Sequence, residues 1–199
     1  FIADSAGLMA GMRFLAAGVI LFVWRRLAGD PAPTRKQWLS AATIGVLLLV
    51  GGNGMLSWAE QKVPSGIAAL LIGSVPLWMA DIQAVRPGGA RPNWLGGLGL
   101  LFGFGGIVLL IGPNLTGGDG AGLHPVGIAA LLFASLSWSI GSIYSRQAEL
   151  PQSALLSTSM EMLAGGVGLM LAASFTGEWR QLVLSQVTLR SWLGLAYLM

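Results

Sequence analysis

Long apolar stretches contain the charged residues Arg13, near the start of the chain, and Glu161, towards its end. A charge at the centre of a membrane helix costs at least about 2.5–3.5 kcal/mol, so such a residue usually faces a cavity or a partner. Arg13 is therefore a candidate to line a transport pathway, although its long side chain is also able to reach the membrane surface. Glu161 is a candidate proton carrier. The alternative for both is a structural ion pair that sets helix packing.

Four further residues are candidates for the same pathway. Asn53 is a polar side chain between glycines, suited to hydrogen-bond either a substrate or a neighbouring helix. Glu60 follows Trp58 at the end of that stretch, where both a gate and an interfacial charge are open interpretations. Pro76 removes a backbone hydrogen bond and predicts a mid-helix kink, with carbonyl groups freed for a substrate. Trp138 lies well inside its stretch and offers an aromatic wall or a π-face for a cation.

The composition places these residues in a membrane protein. The 199 residues are 54% hydrophobic and only 10% charged, and the mean hydropathy is +0.73. Soluble domains carry about 25% charged residues. So few charges do not cover the surface of a soluble protein of this size, which indicates an integral membrane protein.

The same composition excludes other classes of protein. The absence of Cys and the single His exclude disulfides, thiolate metal sites and a multi-histidine metal centre. A net charge of +3 without a long basic run provides no patch for binding nucleic acid. No cofactor is expected. The expected partners are the lipid bilayer and a small-molecule substrate, and the oligomeric state is left open.

The apolar stretches have the length of membrane-spanning helices. About 20 apolar residues cross the hydrocarbon core as a helix, and the stretches lack the period-two alternation of strands. The predicted fold is therefore all-α, a polytopic transmembrane helical bundle. Six complete spans are predicted at residues 8–24, 38–58, 65–84, 94–111, 125–144 and 153–175, and a seventh begins near residue 191 and runs to residue 199.

The lysines and arginines predict the orientation of these spans. Positively charged loops stay in the cytoplasm, so the first span is predicted to enter from outside and to end in the cytoplasm. Alternate loops carry Arg25, Arg26, Arg35, Lys36, Arg86, Arg91 and Arg146, whereas the intervening loops carry Lys62, Arg180 and Arg190.

The predicted orientation implies further helices beyond both ends. A chain without a signal peptide is expected to start in the cytoplasm, yet residue 1 is predicted to lie outside and is Phe rather than Met. At least one helix is expected before residue 1, and the last span is expected to continue after Met199. The chain is thus expected to be truncated at both ends.

An internal repeat relates the two halves of the sequence. Residues 12–19 match residues 160–167 at an offset of 148 with five identities in eight, and residues 36–39 match residues 190–193 at an offset of 154. The matched helices are an odd number of spans apart, so the copies have opposite orientations. Inverted repeats are typical of secondary transporters. Completing both copies predicts ten helices, in a 5+5 arrangement.

Two pairs of glycines predict close helix contacts. Gly11 and Gly18 share one helix face because they are seven residues apart, and Gly99 and Gly103 form a G-x-x-x-G pattern. Small residues at these spacings allow neighbouring helices to approach closely.

The sequence resembles EamA-domain permeases of the drug/metabolite transporter superfamily, in particular their YedA-like bacterial inner-membrane members. The resemblance covers essentially the whole chain and implies a first repeat at residues 1–112, without its first helix, and a second repeat at residues 113–199. It rests on segments 12–18, 52–54, 58–60, 63–70, 137–142 and 160–166, which read MRFLAAG, GNG, WAE, VPSGIAAL, SWSIGS and MEMLAGG.

The resemblance implies an activity and a location. Such a permease exports a small organic metabolite or drug-like compound across the bacterial inner membrane by alternating access, and is expected to do so against protons. Glu60 belongs to the family pattern, which favours a gate or a contact on the outer side. The substrate is not indicated by these motifs.

Two other functions are weighed against transport. A non-transporting membrane scaffold or a truncated remnant fits the incomplete ends. An intramembrane enzyme requires a nucleophile with a base or a metal centre, and the single His, His124, lies at a loop edge. The protein is therefore not expected to be an enzyme.

Overall fold

The computed structural model describes residues 6–86, 93–115 and 124–176, and within these ranges the secondary structure is helical, without strands. The span predicted from residue 191 lies outside the described residues. The helices are α1 (Ala6–Leu27), α2 (Arg35–Gly45), a π-helical segment (Val46–Gly54), α3 (Met55–Ala59), α4 (Ser65–Ile72), α5 (Val75–Val85), α6 (Trp94–Leu115), α7 (Pro125–Ser145) and α8 (Ala154–Thr176).

Within the described residues, five helical stretches are long and apolar enough to cross a membrane, and they match five of the six complete spans that the sequence predicts. The stretch Arg35–Ala59 combines α2, the π-helical segment and α3, and the apolar part Trp94–Leu109 of α6 is shorter. The chain is therefore a multi-pass helical membrane protein. The five stretches are Gly7–Leu27, Arg35–Ala59, Ser65–Val85, Pro125–Ser145 and Ala154–Phe175.

Local sequence signals explain where several helices begin. Thr34 caps α2 in a capping box: its hydroxyl accepts from the Gln37 backbone N–H at 3.3 Å, and the Gln37 side chain accepts from the Thr34 N–H at 2.9 Å. Ser153 accepts from the Leu156 N–H at 3.3 Å at the start of α8. Pro125 occupies the first turn of α7, where a missing N–H has no cost.

The two helices α7 and α8 hold the bundle together. Helix α8 packs against α1 on one side and against the Arg35–Ala59 span on the other, whereas α7 packs against the Arg35–Ala59 and Ser65–Val85 spans. Two apolar clusters mark opposite ends of this arrangement. One contains Ala59, Val63, Ala68, Leu71, Ile128 and Leu131, and the other contains Ala41, Leu156 and Met160.

Candidate substrate pathway

Two contacts between α1 and α8 repeat each other across the helix pair. A Cβ atom built on Gly18 lies 3.1 Å from both Cγ and the backbone N of Leu163. A Cβ atom built on Gly166 lies 2.8 Å from Cγ and 3.1 Å from the backbone N of Leu15. The offset of 148 residues converts one contact into the other, because it relates 18 to 166 and 15 to 163. An internal two-fold axis between antiparallel helices produces such a pair of contacts.

The α1–α8 contact also confirms that the glycine face of α1 allows close packing. Gly11 faces α8 through the Met170 side chain and the Gly166 carbonyl, and Gly18 faces it through Leu163. Of the second glycine pair, Gly103 packs against Leu77, whereas a Cβ on Gly99 meets no atom within 4 Å.

Arg13 points away from α8. It is two residues from Gly11 and from Leu15, which both face α8, and two residues correspond to about 200° around a helix. Its guanidinium carbon lies 4.9 Å from the ring centroid of the adjacent Phe14. Arg13 therefore leaves the α1–α8 contact and stacks on an aromatic ring of its own helix.

Glu161 lies on the face of α8 that meets the Arg35–Ala59 span. Its own carbonyl oxygen contacts Gly45 so closely that a Cβ there has no room, and Gly165, one turn later, packs against Leu49. Val50 packs against Gly168 on the same face. Glu161 is half-buried and, four residues before Gly165, lies on the same face of α8.

Arg13 and Glu161 are separated along the helix axes. The register that pairs residue 18 with 163 and 15 with 166 puts Arg13 level with Gly168, seven residues beyond Glu161, or about 10 Å. Within the part of the chain that the structure describes, the recorded ion pair joins Arg25 and Asp30, and none joins Arg13 to Glu161. A direct pair, which the sequence left open, is not formed.

Trp138 packs on the π-helical segment where α7 crosses it, at the residue before Asn53. The Trp138 indole packs on Gly52 so closely that any side chain at that position overlaps the ring. Asn53 is the next residue and is half-buried in the segment. π-Helical turns are rare and often occur at functional sites. Trp138 thus packs on the residue before Asn53, while Glu60 lies beyond the end of α3.

Glu60 is exposed just after the end of α3. Near it, the Lys62 ammonium group lies 4.9 Å from the ring centroid of Trp58. The structure therefore places Glu60 at the end of a span, beside an aromatic residue of the kind that anchors helices at the membrane surface.

Pro76 is associated with a break rather than with a kink inside a helix. Helix α4 ends at Ile72, and α5 starts at Val75 with Pro76 in its first turn, where proline needs no hydrogen bond. The prediction that Pro76 kinks the middle of a helix is wrong, because Gly73 and Ser74 interrupt the helix before Pro76.

Three serines of α7, which the sequence reasoning did not assign individually, bind backbone carbonyl groups of neighbouring spans. The hydroxyl of Ser137 donates to Leu47 O at 2.7 Å, in the π-helical segment. The hydroxyls of Ser135 and Ser139 donate to Leu71 O at 3.1 Å and Val75 O at 3.0 Å, on either side of the α4–α5 break. The two broken or widened spans are thus held by one helix.

The carbonyl groups around the α4–α5 break are therefore partly occupied. Leu71 O and Val75 O, which flank Pro76, already accept hydroxyl groups of α7. In the sequence, the signal for these contacts is the alternation of serine at positions 135, 137 and 139. Residues two apart lie on nearly opposite sides of a helix, so these hydroxyls face different neighbouring spans.

Replacing Ser137 by alanine is expected to destabilise the folded protein by about 0.6–1.7 kcal/mol, because Leu47 O loses an interhelical donor. Thr43→Val is the matched control, because the Thr43 hydroxyl donates to Leu39 O of its own helix. Thermal unfolding of the detergent-purified full-length protein measures both. Equal unfolding temperatures for the two variants would contradict the role assigned to Ser137.

Trp78 is a further aromatic residue of the bundle, in α5. Its ring meets Phe104 edge to face, with centroids 5.1 Å apart and an interplanar angle of 78°. The indole N–H is buried and finds no acceptor among the described residues. An unpaired buried donor costs about 1–3 kcal/mol. An acceptor atom of a bound molecule would remove this cost by pairing with the Trp78 N–H.

Within residues 6–86, 93–115 and 124–176, no group of three acidic or histidine side chains could hold a metal ion. The spans contain hydroxyl, amide and indole groups, and the charged residues inside them include Arg13, Asp81 and Glu161.

Comparison with known proteins decides the family. The model of the EamA-like transporter family matches residues 4–112. The chain belongs to this family. The YedA inner membrane transporter of Escherichia coli K12, whose function is uncharacterised, is 42% identical over 173 residues, covering 86% of this chain and 54% of YedA.

More distant relatives of this EamA-like chain carry similar names. The uncharacterised transporter YoaV of Bacillus subtilis is 26% identical, over 70% of this chain and 47% of YoaV. A chloroplastic WAT1-related protein of Arabidopsis thaliana is 27% identical, over 81% of this chain and 39% of that protein. The chain thus spans about half the length, or less, of these curated relatives. No solved structure matches it.

The family assignment supports a membrane transporter. YedA and YoaV are both named as transporters. These names agree only indirectly with the expectation that the chain is not an enzyme. The helical bundle and the membrane spans agree with this assignment.

Proposed function

We propose that the full-length protein is a secondary active transporter that exports a small organic metabolite or drug-like compound by alternating access, coupled to proton entry. Its location is the bacterial inner membrane, which it crosses several times. The proposal concerns the direction of transport, its coupling to protons and its mechanism. The family assignment supports transport itself.

The observation that carries the proposal is the repeated contact of α1 and α8. Gly18 with Leu163 and Gly166 with Leu15 are related by the same offset that aligns the sequences of the two helices. Two inverted copies that meet at such an axis are able to rock against each other around a fixed site. The proposed copies are residues 1–112 and 113–199, and the matched family region ends at the first boundary.

Arg13 and Glu161 take different roles in this proposal. With α1 entering from outside and α8 from the cytoplasm, Arg13 lies in the outer half and Glu161 in the inner half of the bilayer, about 10 Å apart along the axis. Glu161 carries the coupled proton, because a carboxyl group between two spans is able to exist in both protonation states. Arg13, which belongs to the first copy, faces the pathway in this proposal.

Asn53, Trp138 and Trp78 are the proposed contacts for an organic solute. Asn53 supplies an amide, Trp138 a ring held against Gly52, and Trp78 a buried N–H without an acceptor. Polar groups in a mostly apolar lining fix the orientation of a ligand. The broken span with Pro76 is of the kind that transporters place beside a substrate. Glu60 remains a proposed outer gate.

Overproduction of the full-length protein in bacterial cells tests this proposal. We expect one or a few small organic compounds to reach at least about ten times their concentration in the medium of cells without overproduction. A tenfold ratio corresponds to about 1.4 kcal/mol of free energy. Mass spectrometry of the medium measures this accumulation. A protonophore is expected to abolish it. An unchanged medium, with the protein folded in the membrane, would overturn the proposal.

A further inference from the structure

The net positive charge of the chain is concentrated in one connection between helices. Residues 25–36, which join α1 to α2 and are called the basic hairpin below, carry four basic residues and one acidic residue. Their excess of three positive charges equals the net charge of +3 of all 199 residues. The positive-inside rule puts this end of the bundle in the cytoplasm. The five charged residues are Arg25, Arg26, Asp30, Arg35 and Lys36.

One of the positive charges is neutralised within the basic hairpin. The Arg25 guanidinium donates two hydrogen bonds to the Asp30 carboxylate, Nε to Oδ2 and Nη2 to Oδ1, both at 2.9 Å. These bonds hold the pKa of the Asp30 carboxyl below its ordinary value, so the group is charged at neutral pH. The chain reverses at Gly29, whose φ is 97°, and the Asp30 N–H donates to Arg25 O at 3.2 Å. Arg25 is therefore occupied by its own loop.

The three other basic residues keep their charge uncompensated. Arg26 donates to the backbone carbonyl of Asp30, which is a neutral acceptor. Arg26, Arg35 and Lys36 are exposed, and the ion pair recorded in the part of the chain that the structure describes includes none of them. Like charges held close together at one end of a bundle attract an anion.

An aromatic contact fixes the two helix ends so that two of these arginines face each other. The Phe22 ring of α1 and the Trp38 ring of α2 have centroids 5.8 Å apart and an interplanar angle of 42°. Arg26 follows Phe22 by four residues and Arg35 precedes Trp38 by three, so each arginine lies on the face of its helix that carries the ring. They stand about 6 Å and about 4.5 Å beyond the rings. Arg26 and Arg35 thus lie at similar heights on facing sides of α1 and α2.

The neighbouring loop before α8 does not neutralise the basic hairpin. Its Leu150 packs against the same buried cluster as Phe22 and Trp38, so this loop comes close to the aromatic contact. It carries Arg146 and Glu149, which are both exposed and add no net charge. The excess of positive charge at this corner of the bundle is therefore not removed by the packing.

Exposed apolar side chains flank the basic residues. Trp24 is 56% exposed and Leu27 is 83% exposed, both in the last turn of α1, and Leu39 near the start of α2 is 61% exposed. A phospholipid presents a charged phosphate next to acyl chains, and basic pockets between helices on the cytoplasmic side bind such head groups. A small inorganic anion would use the charges alone. The combination of charge and apolar surface therefore favours a lipid.

We propose that the basic hairpin binds a negatively charged phospholipid of the cytoplasmic leaflet. Its phosphate lies between Arg26 and Arg35, and its acyl chains cover Trp24, Leu27 and Leu39. Arginine suits this role because its planar guanidinium donates two parallel hydrogen bonds to phosphate oxygens. The inference does not rest on the proposed export.

Native mass spectrometry of the full-length protein tests this site. The protein is released from micelles that contain equal amounts of phosphatidylglycerol, which is negatively charged, and phosphatidylethanolamine, which is neutral overall. We expect the parent protein to retain phosphatidylglycerol in preference. Arg26→Gln and Arg35→Gln are each expected to lower the retained ratio of the two lipids about fivefold, and the double variant about 25-fold, a scale set by the contribution of one basic residue near a membrane surface.

Matched variants separate this site from a general effect of charge. Lys62→Gln removes an exposed basic residue at the opposite end of the bundle and is expected to keep the parent ratio. Arg35→Lys keeps the charge and is expected to retain most of the preference. Asp30→Asn releases Arg25 and is expected to raise the ratio, about fivefold. The proposal is wrong if the double variant elutes as a folded protein in gel filtration with the parent ratio, or if Lys62→Gln lowers the ratio as much as Arg35→Gln.

Thermal unfolding separates a lipid from a small anion. Phosphatidylglycerol in the micelles is expected to raise the unfolding temperature of the parent protein but not that of the double variant, because a ligand stabilises the state that binds it. Inorganic phosphate at the same ionic strength is expected to leave both unchanged. Equal stabilisation by inorganic phosphate would mean a small-anion site and would overturn the lipid proposal. Neither measurement needs a transported compound, so the lipid site and the proposed export are refuted by different results.

Discussion

Gly45→Ala is expected to destabilise the folded protein by about 3 kcal/mol, at the upper end of the usual cost of overpacking. A Cβ at this position overlaps the carbonyl oxygen of Glu161 and lies 2.9 Å from the backbone N of Gly165. Both neighbours are backbone atoms, so no side-chain rotation relieves the overlap. The Arg35–Ala59 span and α8 must therefore move apart along their contact.

The thermal unfolding of the full-length protein in detergent, followed by gel filtration after heating, measures this effect. The expected decrease in the apparent unfolding temperature is about 6–12 °C. Gly99→Ala is the control, because a Cβ there meets no atom within 4 Å and alanine favours a helix. A Gly45→Ala protein that unfolds at the same temperature as Gly99→Ala would show that the two spans are not in backbone contact.

The sequence predicts the spans well because span length and apolar composition are properties of single segments. Gly11 and Gly18 also reveal a contact face, since small residues at helical spacing allow close approach whatever the partner is. The spans and this contact face are confirmed, and both depend on the residues of a single segment. The π-helical widening of residues 46–54 and the interruption at Gly73 are not visible in the pattern, because they depend on what neighbouring helices supply.

The serines of α7 show the limit most clearly. Ser135, Ser137 and Ser139 are visible in the sequence, but their acceptors lie on two other spans, at Leu47, Leu71 and Val75. Sequence alone gives each hydroxyl the carbonyl of its own helix four residues earlier, which is the default partner in a membrane helix. Only the packing shows that these hydroxyls also hold other spans.

The positions of Arg13 and Glu161 show a different limit. The repeat aligns the two residues, which suggests that they meet, yet the same alignment requires that they lie on opposite sides of the axis. Their helix phase becomes interpretable only when Gly11, Leu15 and Gly18 are known to face α8. Equivalent positions in an inverted repeat are therefore not partners by default.

Glu161→Gln is expected to lower export at least about tenfold and to remove its response to a proton gradient. Gln has the shape of a protonated Glu and cannot release or take up a proton, so the coupled step is lost while the packing against Gly45 and Gly165 is kept. The measurement is the rate at which the exported compound appears in the medium, with and without a protonophore. Glu149→Gln, an exposed loop acid, is the control for the loss of one negative charge.

The exchange of the two charges, Arg13→Glu with Glu161→Arg, distinguishes this role from an ion pair. Two groups in direct contact tolerate exchange better than either single substitution, because the attraction is restored. Arg13 is turned away from α8 and lies about 10 Å from the level of Glu161, so the exchange is expected to restore nothing. Recovery of export in the exchanged protein would mean that the two residues meet during the cycle and that Glu161 acts through Arg13 rather than as an independent proton carrier.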